Sequence, residues 1–356
     1  MPSTSQPVPP YAWFGGRLAT GLVDVTDDVA ALDGDGWWAV VLGFEGAVRC
    51  ARFAEVRAQP LPAAPWPGVP TTDWASSMSR EDYVTGVARV REGIAAGDYY
   101  QVNLCRVLSA PLPRGADMAG LAGVLARGNP APYAGVVQLP DDGVAVVSAS
   151  PELFLRRRGA VVESSPIKGT AGAPGGLTGK DRAENVMIVD LVRNDLGRVC
   201  EYGSVAVPAL CATEAHPGLV HLVSTVTGTL RPGVGWADLV AATFPPGSVT
   251  GAPKLAALDH IARLEPVARG VYCGGVGWVD ADRRQGELNV AIRTFWLDGG
   301  RLHFGTGGGI TWGSTPEGEW AETVLKAGRL LTVASGTPGG PGPDVPEVEV
   351  EVEYAP

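Results

Sequence analysis

Cysteine is scarce in this chain and never closely spaced. The five, Cys50, Cys105, Cys200, Cys211 and Cys273, form no Cys-x-x-Cys pattern and cannot all pair within the chain. That argues against a disulfide framework and predicts reduced, mostly packed thiols. No run approaches the ~18 apolar residues of a membrane span, and Met1–Pro10 has neither the basic nor the apolar region of a leader. The expectation is a soluble, cytoplasmic protein. Basic residues are in deficit, 28 against 38 acidic, for a formal charge of −10. This argues against nucleic acid or an anionic membrane as partner. A small anionic substrate stays open, because screening confines the global field to about 8–10 Å. Nucleotide signatures are missing too. Ile310 stands where the dinucleotide pattern needs its last Gly, and Pro174 and Asp181 break the P-loop pattern around Gly179-Lys180.

What is present is a mixture of strand and helix signals without regular alternation, in 356 residues that are 45% hydrophobic. This favours α+β over a doubly wound sheet. Trp37–Leu42 and Ala47–Phe53 read as a hairpin, and the Pro-rich stretch 60–70 as a linker or edge crossing. Ser79 with Asp82 caps a helix carrying Tyr83, Val87, Val90 and Ile94, and Gly97 stops it. Tyr99–Leu108 alternates, with Gln101, Asn103 and Cys105 on one face. Val144–Ala149, Leu153–Leu155, Val161–Val162, Val205–Val207, His221–Val226, Tyr272–Val279, Asn289–Trp296 and Leu302–Thr306 read as strands. Lys180–Leu196, Leu255–Leu264 and Pro316–Val333 read as helices, Gly172–Gly179 as a loop, and the acidic, Pro/Gly-rich 334–356 as a disordered tail.

The stretch Ser165-Pro166-Ile167-Lys168-Gly169-Thr170 stands out. From Ser164 to Thr170 Lys168 is the sole charge, and Gly169 lets the backbone approach a ligand. A lysine in such a place can lose its proton and attack carbon. Asp181 and Glu184 share one helix face at i, i+3, and Glu319 and Glu322 repeat the spacing. Facing each other, the pairs would offer the oxygen-rich shell that Mg²⁺ accepts; singly, each reads first as a solvated or N-terminal acidic face. The Ser314-x-x-Glu317 capping signal accounts for Glu317 alone. Gly305–Gly309 could bring backbone N–H groups to an anion. Arg293 and Lys326 are candidate carboxylate partners, and Glu152 a proton donor if buried. His221 beside Leu222-Val223 reads first as a core histidine.

Pro166–Thr170, Asp181-Arg182-Ala183-Glu184-Asn185, Asp190–Asp195, Gly251-Ala252-Pro253-Lys254, Ala291-Ile292-Arg293-Thr294 and Glu319-x-x-Glu322-Thr323-x-x-Lys326 together resemble the chorismate-utilising enzymes, over about residues 79–333. The resemblance implies two large antiparallel sheets packed face to face with helices outside. In that family the water-adding members carry a lysine where this chain has Gln101, and anthranilate synthases an alanine where it has Lys168. The combination here points to amination of chorismate at C4, giving 4-amino-4-deoxychorismate for p-aminobenzoate and folate.

Carried over residue by residue, the resemblance makes Lys168 the nucleophile, Glu152 the acid and Mg²⁺ the cofactor, held by Glu184 and Glu322 with Asp181 and Glu319 beside it. Gln101, Thr170, Tyr272, Arg293, Lys326 and the N–H groups of Gly308 and Gly309 would hold the substrate, with His221 beside the ring. Residues 1–78 form a shortened N-terminal part of the same fold, without the tryptophan-site motif. No cysteine sits in a glutaminase context, so ammonia would come from a glutamine amidotransferase subunit or from solution. Anthranilate or aminodeoxyisochorismate synthesis, or a silent chorismate-binding subunit, are the alternatives.

Overall fold

The computed structural model describes residues 9–171, 176–216 and 219–336. Residues 172–175 of the expected Gly172–Gly179 loop fall outside them, Gly179 itself opens a helix, and the tail beyond 336 lies outside entirely.

Local rules form the helices. In α1 (Arg80–Ala96) Ser79 and Asp82 make a reciprocal capping box, and Gly97, at φ +86°, returns its N–H to the carbonyls of Gly93 and Ile94. The buried stripe is Tyr83, Gly86, Val87 and Val90. The remaining helices are α2 (Met118–Gly128), α3 (Gly179–Gly197), α4 (Trp236–Thr243), α5 (Lys254–Leu264) and α6 (Pro316–Ala334). Thr315 caps α6 by accepting from Gly318 N, so the expected Ser314 cap is displaced by one residue. Ser314 is thereby free to hydrogen-bond Glu319.

Among the described residues eighteen strands, antiparallel at every pairing, join into one hydrogen-bonded network, with helices packed on it. The antiparallel α+β architecture stands as expected. The N-terminal strands are woven into it: Tyr11–Phe14 pairs with Tyr133–Leu139, and Trp37–Leu42 with Gly275–Asp280. Two apolar clusters fill the interior. The larger holds Trp37, Tyr83, Leu104 and Trp236, and the smaller lies under α2 and the end of α6.

Three readings change. The stretch 60–70 is pinned rather than a free linker, because Trp66 Nε1 and Val69 N both donate to Ala334 O. Asn289–Trp296 is two strands, Gln285–Val290 and Thr294–Asp298, broken where Arg293 adopts φ +52°. The glycine run is strand as well, since Arg301–Ile310 continues through it against Gln101–Pro111. That last strand is buried on both faces, because helices cover what period-two alternation suggested was a polar side.

Candidate active site

The floor of the site is Gln101–Pro111, flanked by Arg301–Ile310 and by the short Gly251–Ala252 strand. Gly309 lies opposite Asn103. A Cβ at 309 would stand 2.6 Å from Gln101 Nε2 and 3.2 Å from Lys168 Nζ, so an amide and an amine meet over a position that carries no side chain. Gln101 is fully buried, and neither its Oε1 nor its Nε2 has a hydrogen-bond partner among the described residues. Leaving such an amide unmet costs about 1–3 kcal/mol per group, which a bound ligand would recover.

Lys168 reaches this point through a backbone irregularity. Ile167–Ala171 pairs with Leu219–Thr229, but the register shifts between Lys168 and Thr170, where Gly169 takes φ +78°. A Cβ on Gly169 would fall 2.8 Å from Asp181 Cβ, so α3 closes directly on this bulge. Lys168 Nζ donates to Ser248 O at 3.1 Å. Burial lowers its affinity for a proton and nearby Lys326 adds to that, against the opposing carboxylates Glu184, Glu152 and Glu322.

Glu152 follows the strand Val144–Ser150 and is 3% exposed. Burial pushes its carboxyl up to about 7, although hydrogen bonds from Ser248 and the Ile167 backbone, and the charges of Lys168 and Arg293, favour the ionised form. Ser248 therefore touches both candidate catalytic groups. It lies 80 residues from Lys168, and no local pattern marks it.

Carboxylates gather on the other side. The missing Cβ of Gly308 would stand 2.8 Å from Glu319 Oε2 and 3.9 Å from Glu322 Oε1. Lys180 Nζ lies 3.7 Å from Glu184 Oε1 and 3.8 Å from Glu319 Oε1, bridging α3 and α6. Lys326 Nζ pairs with Glu322 at 2.6 Å and donates to Gly307 O at 3.1 Å. Burial raises Glu184, with Asp181 and Glu322 adding to it, and burial likewise raises Glu319. Burial also pushes Glu322 upward, but Lys326, Lys168 and Lys180 outweigh it and leave that carboxyl below its ordinary range. Asp181 serves first as a cap: its Oδ2 accepts from Thr178 N and Oγ1, each at 2.7 Å. Glu317 pairs with Arg80 at the surface, away from this group.

Among the described residues no three His, Cys, Asp or Glu side chains are grouped closely enough to hold a metal ion. The donor chemistry nevertheless fits Mg²⁺. Glu184, Glu319 and Glu322 converge on positions now neutralised by the Lys180 and Lys326 ammonium groups, and hard oxygen donors of this kind suit a small divalent cation.

The other expected residues are distributed as follows. Arg293 is half-buried, its proton affinity lowered by burial and by Arg329, with Glu152 opposing. His221 is buried and registers opposite Thr170, whose backbone alone is described. Tyr272 is 5% exposed and precedes the strand Gly275–Asp280, its ring against Gly305, where a Cβ would lie 2.0 Å from Tyr272 Cγ. A strand sends successive N–H groups to opposite edges, so Gly308 and Gly309 present theirs in opposite directions. Lys180 escaped the sequence reading, although its i, i+4 spacing from Glu184 is the one signal that could have flagged it.

The sequence profile of chorismate binding enzymes matches residues 46–332. The chain is 40% identical over 298 residues to aminodeoxychorismate synthase component 1 of Klebsiella aerogenes, covering 79% of this chain and 64% of that protein. It is 39% identical over 286 residues to anthranilate synthase component 1 of Streptomyces coelicolor, covering 77% and 55%. The chain thus spans roughly 55–64% of the length of these two relatives. The menaquinone-specific isochorismate synthase of Escherichia coli superposes with a TM-score of 0.76 at 20% identity, over 93% of this chain and 90% of that one, which shows a shared fold. The matched profile and the relatives at this level of identity lead to one conclusion: this chain belongs to the chorismate-binding enzyme family.

Proposed function

We propose that this chain aminates chorismate at C4 with ammonia, giving 4-amino-4-deoxychorismate, the activity named in its Klebsiella relative. The observation that carries the reading is the meeting of the Lys168 amine and the unpartnered Gln101 amide over Gly309, with Ser248 joining Lys168 to Glu152.

Lys168, its proton affinity lowered, supplies a lone pair to C2 of the ring. The ring diene shifts, the C4–O bond breaks, and Glu152 gives its proton to the departing hydroxyl, which leaves as water. Ammonia then attacks C4, the diene shifts back and the C2–N bond breaks. The lysine returns neutral and the product carries the ammonium. Gln101 hydrogen-bonds the substrate without acting as a base, since an amide does not titrate. Arg293, Lys326 and one N–H of the glycine run meet its carboxylates, with Thr170 and His221 beside the ring. Glu184 and Glu322 would hold Mg²⁺, with Asp181 and Glu319 beside it. Such an ion supplies positive charge that offsets repulsion between the substrate carboxylates and the four acidic side chains.

A glutamine amidotransferase subunit is the proposed ammonia source, a reading supported by the name component 1 of the Klebsiella relative. The test is incubation of the purified chain with chorismate, Mg²⁺ and an ammonium salt, with the product identified by mass spectrometry. The 4-amino compound is expected, and Lys168→Ala should abolish it. Anthranilate as product would establish the other amination. No turnover by the wild type would leave a binding subunit.

A further inference from the structure

Behind Glu152, on the side facing α3 and α4, lies a cavity of about 20 Å³. Its walls include Glu152, Ser164, Asp195, Thr243 and Ser248. That volume admits one water, which needs two to four polar partners, and the five residues just named carry polar side chains. Glu152 Oε1 is buried and has no hydrogen-bond partner among the described residues.

Across the cavity stands a buried ion pair outside the substrate site. Lys254 Nζ donates to Asp195 Oδ2 at 2.6 Å and to Thr243 O at 2.9 Å. The two side chains are 15% and 7% exposed, so the lysine end lies nearest solvent. Burial raises the Asp195 carboxyl and lowers the Lys254 ammonium, bringing the pair closer to exchanging its proton. Arg198 faces both members, Asn194 bonds Asp195, and Lys168 and Arg293 face Glu152. The two motifs holding this pair, Asp190–Asp195 and Gly251–Lys254, supply no other charged group to the site described above.

We infer that Asp195 and Lys254 return a proton to Glu152 through one water in this cavity. The inference rests on the amination reading, and the reaction requires such a return. Ammonia and chorismate give an ammonium product and water, so each turnover consumes the proton that Glu152 donates. With substrate covering the front of Glu152, supply comes from behind. Lys254 passes a proton to Asp195, Asp195 to the water, and the water one of its own to Glu152. Lys254 then takes a proton from solvent. Asp195 and Lys254 act through Glu152 and touch no substrate.

The test compares the first turnover with later ones by rapid quench, on the Mg²⁺-loaded enzyme with chorismate and ammonium. The first turnover uses the proton already on Glu152. Asp195→Asn should leave its rate unchanged and slow the steady state by on the order of tenfold or more, giving a burst of one product per enzyme. The double variant Asp195→Asn/Lys254→Gln strands no buried charge and covers the case in which the single variant does not fold. Ser164→Val fills the cavity with the pair intact and should give the same burst. First and later turnovers slowed alike, or neither slowed, would overturn the relay. A wild type yielding no 4-amino product would instead remove the amination reading itself.

Discussion

Gly309 and Gln101 stand so close that a single added methyl would lie 2.6 Å from the Gln101 amide nitrogen. The same methyl would be 3.2 Å from Lys168 Nζ, so one backbone position controls the separation of the two groups proposed to face the substrate. Gly309→Ala should therefore cost little stability, because the clash falls on the ends of flexible side chains. It should lower kcat by about 100-fold through displacement of the reacting amine. A kinetic assay beside a thermal melt tests this, and near-normal turnover would show that Gln101 and Lys168 need no fixed spacing.

Glu152 is held against its own ionisation. Its folded value of about 7 against an ordinary 4.5 means that folding retains a proton over that window, so this group's stabilising contribution is full below 4.5 and lost as pH rises through 7. Glu152→Gln should accordingly raise stability by up to about 3 kcal/mol above pH 7 and by nothing below 4.5, while turnover falls by about 100-fold or more. Denaturant melts at two pH values measure the first effect. Equal gains at both would contradict the burial account.

The same carboxyl predicts the pH profile. The donor must be protonated, so kcat/KM should decline on the alkaline side from about pH 7. Lys168 must be neutral, so an acid limb should appear below the ordinary lysine range, where burial has moved it. A kcat/KM still rising well above pH 7 would remove Glu152 as the donor.

Asp181 separates a structural from a metal-linked role. Asn can still accept the Thr178 N–H, so Asp181→Asn should change stability by less than about 1 kcal/mol. If the carboxylate also steadies the ion through water, affinity for Mg²⁺ should drop by about tenfold. Calorimetric titration with Mg²⁺ alone reads this without turnover. Unchanged affinity would confine Asp181 to its cap.

Much of the fold was legible because its causes are local. The Ser79 capping box, the Gly97 stop and the acidic pairs of α3 and α6 each depend on residues within a turn or two of one another. Arg293 was harder to read, since a left-handed backbone at a residue with a side chain carries no composition signal. The strand expected to end at Thr306 runs on through the glycines, whose missing side chains let it pass beside Cys105, Gln101 and Lys168.

By itself the sequence determined the chemistry available: an isolated lysine beside a glycine, two acidic pairs at helical spacing, and a glutamine where the resemblance implies a lysine in water-adding members. Tertiary structure alone decided what those groups meet. Ser248 under Lys168, Lys180 between Glu184 and Glu319, and the cavity joining Glu152 to Asp195 all join residues distant in the chain or on different elements. The physical reason is that proton affinity follows desolvation and neighbouring charge, and both are fixed by packing across the fold rather than by order along the chain.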